Sequence, residues 1–480
     1  MRLQNVKRSL LVLAVFFATP MLLTAQEATP AEPSVTKNMI KEYLSYYDSI
    51  QNFRYYDMRG VNVFETPKNN VAFNGLRVRF GAGFTQQFQN IKHENYLTGV
   101  TLANTPTAEV ANRLYPLSAG FNTAMANLNM DVQLADGIRL NLVTYLSSRH
   151  HNEAWVKGGY IQFDKLPFKG KFWDDIMKVA TIKIGHMEIN YGDAHFRRSD
   201  GGGTLYNPFI ENYIVDAFTT EIGGEVYLQH KGFFGMIGMT NGEIKGDVKE
   251  VPEVTTDGNA NKAPAIYLKG GFDKSLGDLR VRGTASFYKD NSSANNTLFW
   301  GDRTGSNYFL AMENTSATAV AQAWSGRVNP LFSDRTQGLM LNGFLKFKGL
   351  EGFVTYETGK GRQATQVKPE DRSFTQFAID GLYRLQLGSQ NFYAGARYNT
   401  VTLDQIFTAG GVQTISEVKI NRTSFAAGWF LTKNVLLKGE YVVQNYGGYD
   451  APGVPKTIFL GKNGSNAKFN GYVIEAVVGF

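Results

Sequence analysis

The sequence predicts an all-β fold, a transmembrane antiparallel β-barrel of about 16 strands with short periplasmic turns and long extracellular loops. Segments of about ten residues alternate apolar side chains with polar or small ones, and turn-forming residues separate them. In segment 470–480, Tyr472 and Phe480 share an apolar face while Glu475 lies on the other. A strand that is apolar on one side and able to carry a carboxylate on the other is typical of a barrel in lipid with a wet lumen.

Residues 1–25 are predicted to be a secretory signal peptide. Arg2, Lys7 and Arg8 precede an apolar run that is too short to cross a bilayer, and small residues provide a cleavage site before Gln26. Removal of this peptide takes away three basic residues and lowers the formal net charge from +7 to +4. A chain of this length that is so close to neutral is not expected to bind nucleic acid.

The amino-acid composition excludes sites that depend on cysteine and is compatible with a membrane barrel. No cysteine is present, so neither a disulfide framework nor a thiolate metal site can form. The 50 glycines and the 13% of aromatic residues suit many crowded strands with aromatic belts at two membrane interfaces. A large soluble sandwich could share this composition, so the fold prediction rests on the alternation pattern.

The mature chain is expected to divide into a periplasmic N-terminal segment, residues 26–70, and a transmembrane β-barrel, residues 71–480. In the first part, Met39 and Tyr43 have helical spacing, and the chain then becomes aromatic at residues 53–56. The segment is therefore predicted either as a helix or as a plug that enters the lumen.

The alternation predicts sixteen strands, and short and long links between them alternate as expected for a barrel whose ends face different compartments. The strands lie near residues 76–85, 127–134, 138–142, 154–163, 179–190, 218–229, 233–241, 265–273, 279–288, 338–348, 350–358, 372–386, 391–400, 417–430, 435–445 and 470–480. The long polar links lie near 89–126, 191–217, 242–264, 289–337, 401–416 and 446–469. The link 164–178 should be short but is not, and we predict a periplasmic turn with a small helix there.

Near residues 184–187 the apolar positions switch from even to odd numbers, which predicts a β-bulge.

A periplasmic β-sandwich or a propeller would also alternate, with the apolar side as its core. The number of strands and the alternating link lengths favour the lipid-facing barrel over these folds.

A barrel of this size is wide enough to hold an aqueous channel. The side chains predicted to face its lumen are charged and lean basic: Arg77, Arg79, Arg139, Arg282, Arg397, Glu225, Asp380 and Glu440. Charged rings in a wet constriction bias which ions enter, so a modest preference for anions is predicted. The alternative is that these residues pair with one another and bias nothing.

The loop 191–217 is the predicted pore constriction. It combines opposed charges with the flexible run Gly201 to Gly203, and a loop folded into a pore would place those charges across the opening. The residues predicted to form the constriction are Asp193, His195, Arg197, Arg198 and Asp200. A surface loop with local Arg and Asp pairs is the competing interpretation.

No catalytic motif is found in the sequence, including the nucleophile elbow, the zinc-protease motif and the phosphate-binding loop. The 6 histidines offer little from which to build a general base. We therefore expect a protein that is not an enzyme, with no catalytic residue, cofactor or metal site.

The stretch Lys183 to Arg198, the segment Tyr206 to Asn212 and the closing strand together resemble outer-membrane porins of the Bacteroidota, similar in outline to the phosphate-selective porin group. The resemblance implies passive diffusion of solutes and is compatible with a homotrimer. Phosphate selectivity is not carried over, because the binding residues cannot be matched one by one.

The sequence thus favours a multi-pass barrel in the bacterial outer membrane that contacts outer-membrane lipid and lipopolysaccharide. It would let small hydrophilic solutes and ions cross by passive diffusion through an aqueous channel constricted by the 191–217 loop. Two alternatives stay open. One is a channel specific for an anion or a nutrient, and the other is a closed barrel that acts as an adhesin or a structural partner.

Overall fold

The computed structural model describes residues 50–69, 71–101, 103, 105–147, 154–244, 261–301, 305–320, 324–367 and 370–480. The predicted signal peptide, the helical part of the N-terminal segment and much of the link 242–264 lie outside the described residues. Among those that are described, no helix is both long enough and apolar enough to span a membrane.

The described chain is built almost entirely from antiparallel strands. They are β1 (Arg77–Glu94), β2 (Gly120–Phe121), β3 (Met125–Ala135), β4 (Ile138–Ser147), β5 (Ala154–Phe163), β6 (Ala180–Glu188), β7 (Thr220–His230), β8 (Phe233–Thr240), β9 (Ala265–Leu276), β10 (Leu279–Asp290), β11 (Arg335–Phe347), β12 (Leu350–Arg362), β13 (Arg372–Leu387), β14 (Gln390–Ala409), β15 (Val412–Thr432), β16 (Val435–Gly447) and β17 (Ala467–Gly479). The helices are α1 (Thr107–Val110) and α2 (Lys171–Met177), with three short 3-10 turns at Met58–Gly60, Ala194–Arg197 and Lys462–Gly464.

Sixteen of these strands close into one barrel, as predicted. Each pairs with its neighbours along the chain, and β1 closes the ring by pairing with β3 on one side and with β17 on the other. The two-residue strand β2 pairs with β1 at Phe88 and Gln89, beyond the point where β3 ends, and adds no position to the ring. Closure leaves no free sheet edge in the membrane.

The turns at one end of the barrel are short, which confirms the prediction for that end. Two residues connect β3 to β4, and the turn glycine Gly137 has φ +71, a conformation that glycine adopts without steric cost. The predicted small helix in the longer link after β5 is α2.

One predicted link is wrong. Residues 401–416 were expected to form a long polar loop, but β14 and β15 continue through them for 20 and 21 residues, joined by Gly410 and Gly411. Polar residues such as Thr402 and Asp404 fit a strand here because the hairpin is longer than the roughly 9 to 11 residues that cross a bilayer. Its buried Phe407 packs on Tyr449, with ring centroids 5.9 Å apart.

The predicted β-bulge near residues 184–187 is also not found. The strand β6 pairs with β7 in continuous register from Ala180 to Glu188. The apolar phase changes because Met187 and Ile189 turn toward the lumen, where each is only 3% exposed. The register shift in this part of the sheet lies between β4 and β5, at Val143 and Thr144.

The outer surface of the barrel is apolar. Many large side chains that point away from the lumen are exposed, including Leu341 at 43% in the middle of β11 and Leu345 at 41%. Aromatic side chains gather near the short turns: Phe233, Phe272, Phe347, Tyr383 and Phe480. An apolar band with an aromatic girdle is the surface that a barrel presents to lipid, and it places the short turns on the periplasmic side.

Protein fills more of the lumen than the constriction that the sequence predicted. Two long links fold inward: the inward loop, residues 189–219, and the second loop, which comprises the described residues of 291–334. Their apolar side chains form a core inside the barrel, in which Ile210, Ile214 and Tyr308 are 0% exposed. The two loops also bind each other, since the Ser306 hydroxyl donates to Glu211 at 2.6 Å.

We expect Leu341→Arg to lower the free energy of unfolding by about 2–4 kcal/mol, because it places a charge at mid-depth on the lipid-facing surface. Leu387→Arg is the matched control, since Leu387 lies on the same surface at the periplasmic end of β13 and should cost about 0–1 kcal/mol. Denaturant unfolding in lipid vesicles measures both, and equal costs would contradict a lipid-facing surface.

Candidate functional site: the cavity beside the inward loop

One side of the lumen stays open. A cavity of about 290 Å³ lies between the wall formed by strands β3 to β7 and the inward-folded segments opposite it. Its lining on the wall runs from Thr220 to Gln229 in β7 and from Thr181 to Glu188 in β6. The first and last lining residues of each strand lie at or near the ends of that strand, so the cavity follows nearly the full height of this part of the wall.

Residues 50–69 line the periplasmic end of the barrel from within, and we call them the periplasmic ring. Their contacts follow the barrel wall in order: Gln51 bonds to Gln133 of β3, Met58 to the turn before β16, Asn62 to Glu351 of β12, Glu65 to Arg282 of β10 and Lys68 to the turn after β5. The Asn69 amide then donates to Asn52 at 2.7 Å and closes the circuit. This is a plug-like arrangement of the part of the N-terminal segment that the structure describes.

Four buried charges, which we call the charge latch, join the ring, the inward loop and the wall. Asp193 of the inward loop accepts from Lys269 and Arg282 at 2.8 Å each. Glu65 of the ring accepts from the same two cations at 2.9 and 2.6 Å. The Thr284 hydroxyl adds a bond to Asp193 at 3.0 Å. Two charges of each sign thus balance inside the protein.

A second set of charges holds the upper part of the inward loop. Arg198 binds Asp216 through both carboxylate oxygens at 3.1 and 2.5 Å, and its guanidinium lies 3.9 Å from the ring of Phe218. Burial raises the pKa of Asp216, but Arg198 and Arg327 outweigh it and lower the pKa below its ordinary value. Asp200 pairs with Lys157 of the wall.

His195 faces the cavity with both ring nitrogens engaged. Nδ1 lies 2.9 Å from a Glu188 oxygen, and Nε2 lies 2.9 Å from the Asn190 side-chain oxygen. The same Asn190 oxygen accepts from Lys269 at 2.6 Å, which connects the histidine to the charge latch.

Of the five residues predicted at the constriction, the structure brings three to the lining of this cavity: His195, Arg198 and Asp200. Asp193 is completely buried in the latch. Arg197 lies on the other side of the loop, where it bonds to Asn62 and its guanidinium sits 4.9 Å from the ring of Phe353. The alternation of inward and outward side chains along a strand cannot predict where these side chains point, because Ala194–Arg197 is a 3-10 turn.

The eight residues predicted to face the lumen all point inward. Arg397 binds Asp380 through two bonds of 2.7 and 2.9 Å, and also donates to the Glu211 carbonyl of the inward loop. Three other members bond to inward segments: Arg282 donates to Asp193 of the charge latch, Glu225 accepts from the Asn190 amide, and Glu440 accepts from the Ile210 amide and the Tyr308 hydroxyl. The guanidinium of Arg79 lies over the ring of Phe53. Arg139 pairs with Asp131 at 2.9 Å, and Arg77 lies opposite Gln133 on β3.

The sequence analysis missed Lys183, which lies on the cavity wall between two tyrosine rings. Its Nζ is 5.4 Å from the ring of Tyr160 and 4.9 Å from that of Tyr227. It alternates with the outward-facing Ile182 and Ile184, so the pattern itself held the signal. The role of Glu65 carried no such signal, because the ring follows no repeating pattern.

Solved structures similar to this chain are outer-membrane proteins. The DcaP channel of Acinetobacter baumannii is 11% identical with a TM-score of 0.47, and the match covers 85% of this chain and 99% of that one. An anion-selective porin from Comamonas acidovorans is 11% identical with a TM-score of 0.47, covering 84% and 100%. The trimer form of OmpT, an outer membrane protein of Vibrio cholerae, is 12% identical with a TM-score of 0.45, covering 85% and 100%.

No model of a known protein family matches the sequence, and no curated protein matches it significantly. The barrel and its outer surface indicate in which membrane the protein lies. An even number of antiparallel strands closes on itself, short turns lie at one end, and an apolar band surrounds the outside. The chain is a transmembrane β-barrel of the bacterial outer membrane.

Acid is expected to weaken the charge latch. Burial raises the pKa of Asp193 and Glu65, but Lys269 and Arg282 outweigh it and hold both pKa values below the ordinary range. Carboxylates titrate near pH 4 in an unfolded chain. A lowered folded-state pKa adds stability that is complete above the unfolded value and is lost as the pH falls through the folded value. The contribution of the charge latch to the free energy of unfolding should therefore be level from about pH 7 to 5 and fall below about pH 4.

Denaturant titrations across this range measure the effect, and two variants control it. Asp193→Asn should be less stable at pH 7 and depend less on acid, because one titrating carboxylate of the latch is gone. Asp175→Asn breaks an exposed pair with Lys178 in the periplasmic turn and should keep the full profile. A profile unchanged in Asp193→Asn would contradict the role of the latch.

Proposed function

We propose that this protein is an outer-membrane porin in which small hydrophilic solutes and ions diffuse passively through the cavity along strands β3 to β7. The observation that carries the proposal is the lining of that cavity, which combines charged and amide side chains with aromatic rings and follows β6 and β7 over nearly their full length. The opposite half of the lumen is packed with apolar side chains that exclude water.

The path is narrow because the inward loop and the periplasmic ring stand across it. His195, Arg198 and Asp200 of the loop face the cavity, as do Arg54 and Glu65 of the ring. The charge latch fixes these two segments to each other and to the wall. The 191–217 loop therefore acts as the constriction, together with the periplasmic ring, which belongs to the segment that the sequence predicted as a helix or a plug.

A modest preference for anions follows from the lining. Its basic side chains are Arg54, Arg139, Lys157, Lys183 and Arg198, and its acidic ones are Glu65, Glu188 and Asp200. Five positive and three negative groups make the cavity net basic, which favours entry of anions. Pairing reduces the bias, since Lys157 neutralises Asp200 and Arg198 is held by Asp216.

Two other functions remain candidates on specific observations. The small volume of the cavity, about 290 Å³, favours a channel for one class of solute over a general pore. The apolar core inside the barrel favours a closed barrel that serves as an adhesin or structural partner. The likeness to Bacteroidota porins, carried by Lys183 to Arg198, adds a homotrimer to the proposal, which crosslinking in native membranes would test.

Conductance with a single introduced thiol tests the path. The sequence has no cysteine, so Gln229→Cys would carry one reactive group, at the cavity. A charged thiosulfonate reagent should attach there and lower the current of reconstituted channels, because the added group occupies the path. The matched control is Ser424→Cys, a lumen-facing position on β15 that is 1% exposed in the filled half. Its current should not change.

A drop of current in Ser424→Cys with none in Gln229→Cys would contradict the assigned path. Absence of any conductance from folded, heat-modifiable protein would reject the porin proposal and favour the closed barrel. Uptake of small sugars by vesicles gives the same decision without an electrical measurement.

Lys183→Glu tests the anion preference. The change places two negative carboxylates, at positions 183 and 188, on the same strand beside the cavity, so the reversal potential in a salt gradient should shift toward cation selectivity. Lys360→Glu makes the same charge change on an exposed side chain of β12 outside the lining. It should leave the reversal potential unchanged, and equal shifts in both variants would contradict a selective cavity.

A further inference from the structure

The link between β5 and β6 exposes a group of large apolar side chains at the periplasmic end of the barrel. Phe168 is 56% exposed and Phe172 is 66% exposed, and Trp173 and Ile176 are each 38% exposed. The ring of Trp173 joins the two phenylalanines, since its centroid lies 5.5 Å from that of Phe168 and 5.1 Å from that of Phe172. A contiguous apolar patch of this kind marks a surface that contacts another molecule or a membrane.

The helix α2 places most of this patch on one face. Residues four apart are neighbours on a helix, so Phe172 and Ile176 form one row and Trp173 and Met177 form the next. Only the second row is covered by the barrel: α2 packs against β6, and Met177 is buried there. The row that begins with Phe172 stays open.

The helix is held beside the lipid-facing surface of the barrel. Lys68 of the periplasmic ring donates to the carbonyls of Asp164, before the helix, and of Met177, at its end. Strand β6 begins shortly after the helix at Ala180, which pairs with the lipid-facing and exposed Leu228. The open row therefore lies at the periplasmic edge of the apolar band.

The other face of α2 is polar, and lysines flank the patch. Lys171 and Asp174 lie on that face, and Lys178 pairs with Asp175. Lys169 and Lys171 are exposed and form no ion pair with any residue that the structure describes. In helices that lie in a membrane interface, aromatic side chains enter the acyl boundary while ammonium groups stay at the polar surface.

We propose that Phe168 and α2 form an interfacial anchor, which inserts its aromatic side chains into the phospholipid leaflet on the periplasmic side of the outer membrane. The ammonium groups of Lys169 and Lys171 bind lipid phosphates. Continuity of the open row with the lipid-facing surface favours lipid over a partner protein. The anchor fixes the periplasmic ends of β5 and β6, two strands of the cavity wall, at the level of the lipid headgroups.

Spin labels on single cysteines test the anchor in the full chain, reconstituted in vesicles of phosphatidylethanolamine and phosphatidylglycerol. Because the sequence has no cysteine, Phe172→Cys and Asp174→Cys each carry one label, on opposite sides of α2. The label at position 172 should lie about 5–10 Å deep in the boundary region and collide more with oxygen than with a water-soluble nickel chelate. The matched label at position 174 should show the reverse.

Two outcomes would overturn the anchor. One is equal access of the nickel chelate to both labels, which would place the patch in water. The other is a label at position 172 that is shielded from both reagents, because a protein would then cover the patch; spin–spin broadening would identify that protein as a second copy of this chain. Heat-modifiability checks that both variants fold, and both positions lie outside the barrel wall.

Quenching by brominated lipids gives a second measurement without cysteine. Lipids brominated near the headgroup end of their acyl chains should quench a smaller fraction of the tryptophan fluorescence in Trp173→Phe than in the unchanged protein. Trp324→Phe is the matched control and should not lower that fraction, since Trp324 packs against Trp300 in the second loop, with ring centroids 6.3 Å apart. An equal fraction in Trp173→Phe and the unchanged protein would count against the anchor.

The anchor goes beyond the proposed function and is tested separately from it. Neither measurement needs an ion current. A chain that conducts while the label at position 172 lies in water keeps the porin function and overturns the anchor. A closed barrel whose label at position 172 lies in lipid overturns the porin function and supports the anchor.

Discussion

Four buried charges decide how this barrel is filled. Glu65, Asp193, Lys269 and Arg282 come from the periplasmic ring, the inward loop and two adjacent strands, and each carboxylate contacts both cations. Loss of one partner would leave an uncompensated charge in the interior, at a cost of about 3–5 kcal/mol. The loop and the ring are therefore held in one position, and the open part of the lumen lies where they leave it.

The inward side chains explain which half of the lumen stays open. On strands β3 to β6 they are largely polar, as with Asn127, Asn129 and Asp131. On the strands from β11 to β15, inward positions include Met340, Phe374, Val401, Leu403 and Val418, which are buried in the core that the two loops form. The loops pack against these apolar side chains and bond to buried polar ones beside them, such as Gln376 and Arg397.

Most of the fold could be predicted from the sequence, because alternation and turn residues are local signals and all sixteen barrel strands lie near where the sequence placed them, with one link wrong. The exception, residues 401–416, failed because polar residues also occur in strands that extend beyond the membrane. The extent to which protein fills the lumen was missed for another reason. Alternation separates the two faces of a strand, but it does not say whether water or protein lies against the inner face, although Phe344 and Phe374 at inward positions were a clue.

The candidate site was predicted only in part, and the pattern of success has a physical cause. Residues on strands, such as Arg139 and Arg397, face inward as the alternation requires. Residues of the inward loop have no such period, so Arg197 and Arg198 are adjacent in sequence yet lie on different sides of the loop. The loop's own cations are engaged by Asn62, Asp216 and Asp200. The inward loop is thus held by its own charges, and the open part of the lumen lies along the rigid strands beside it.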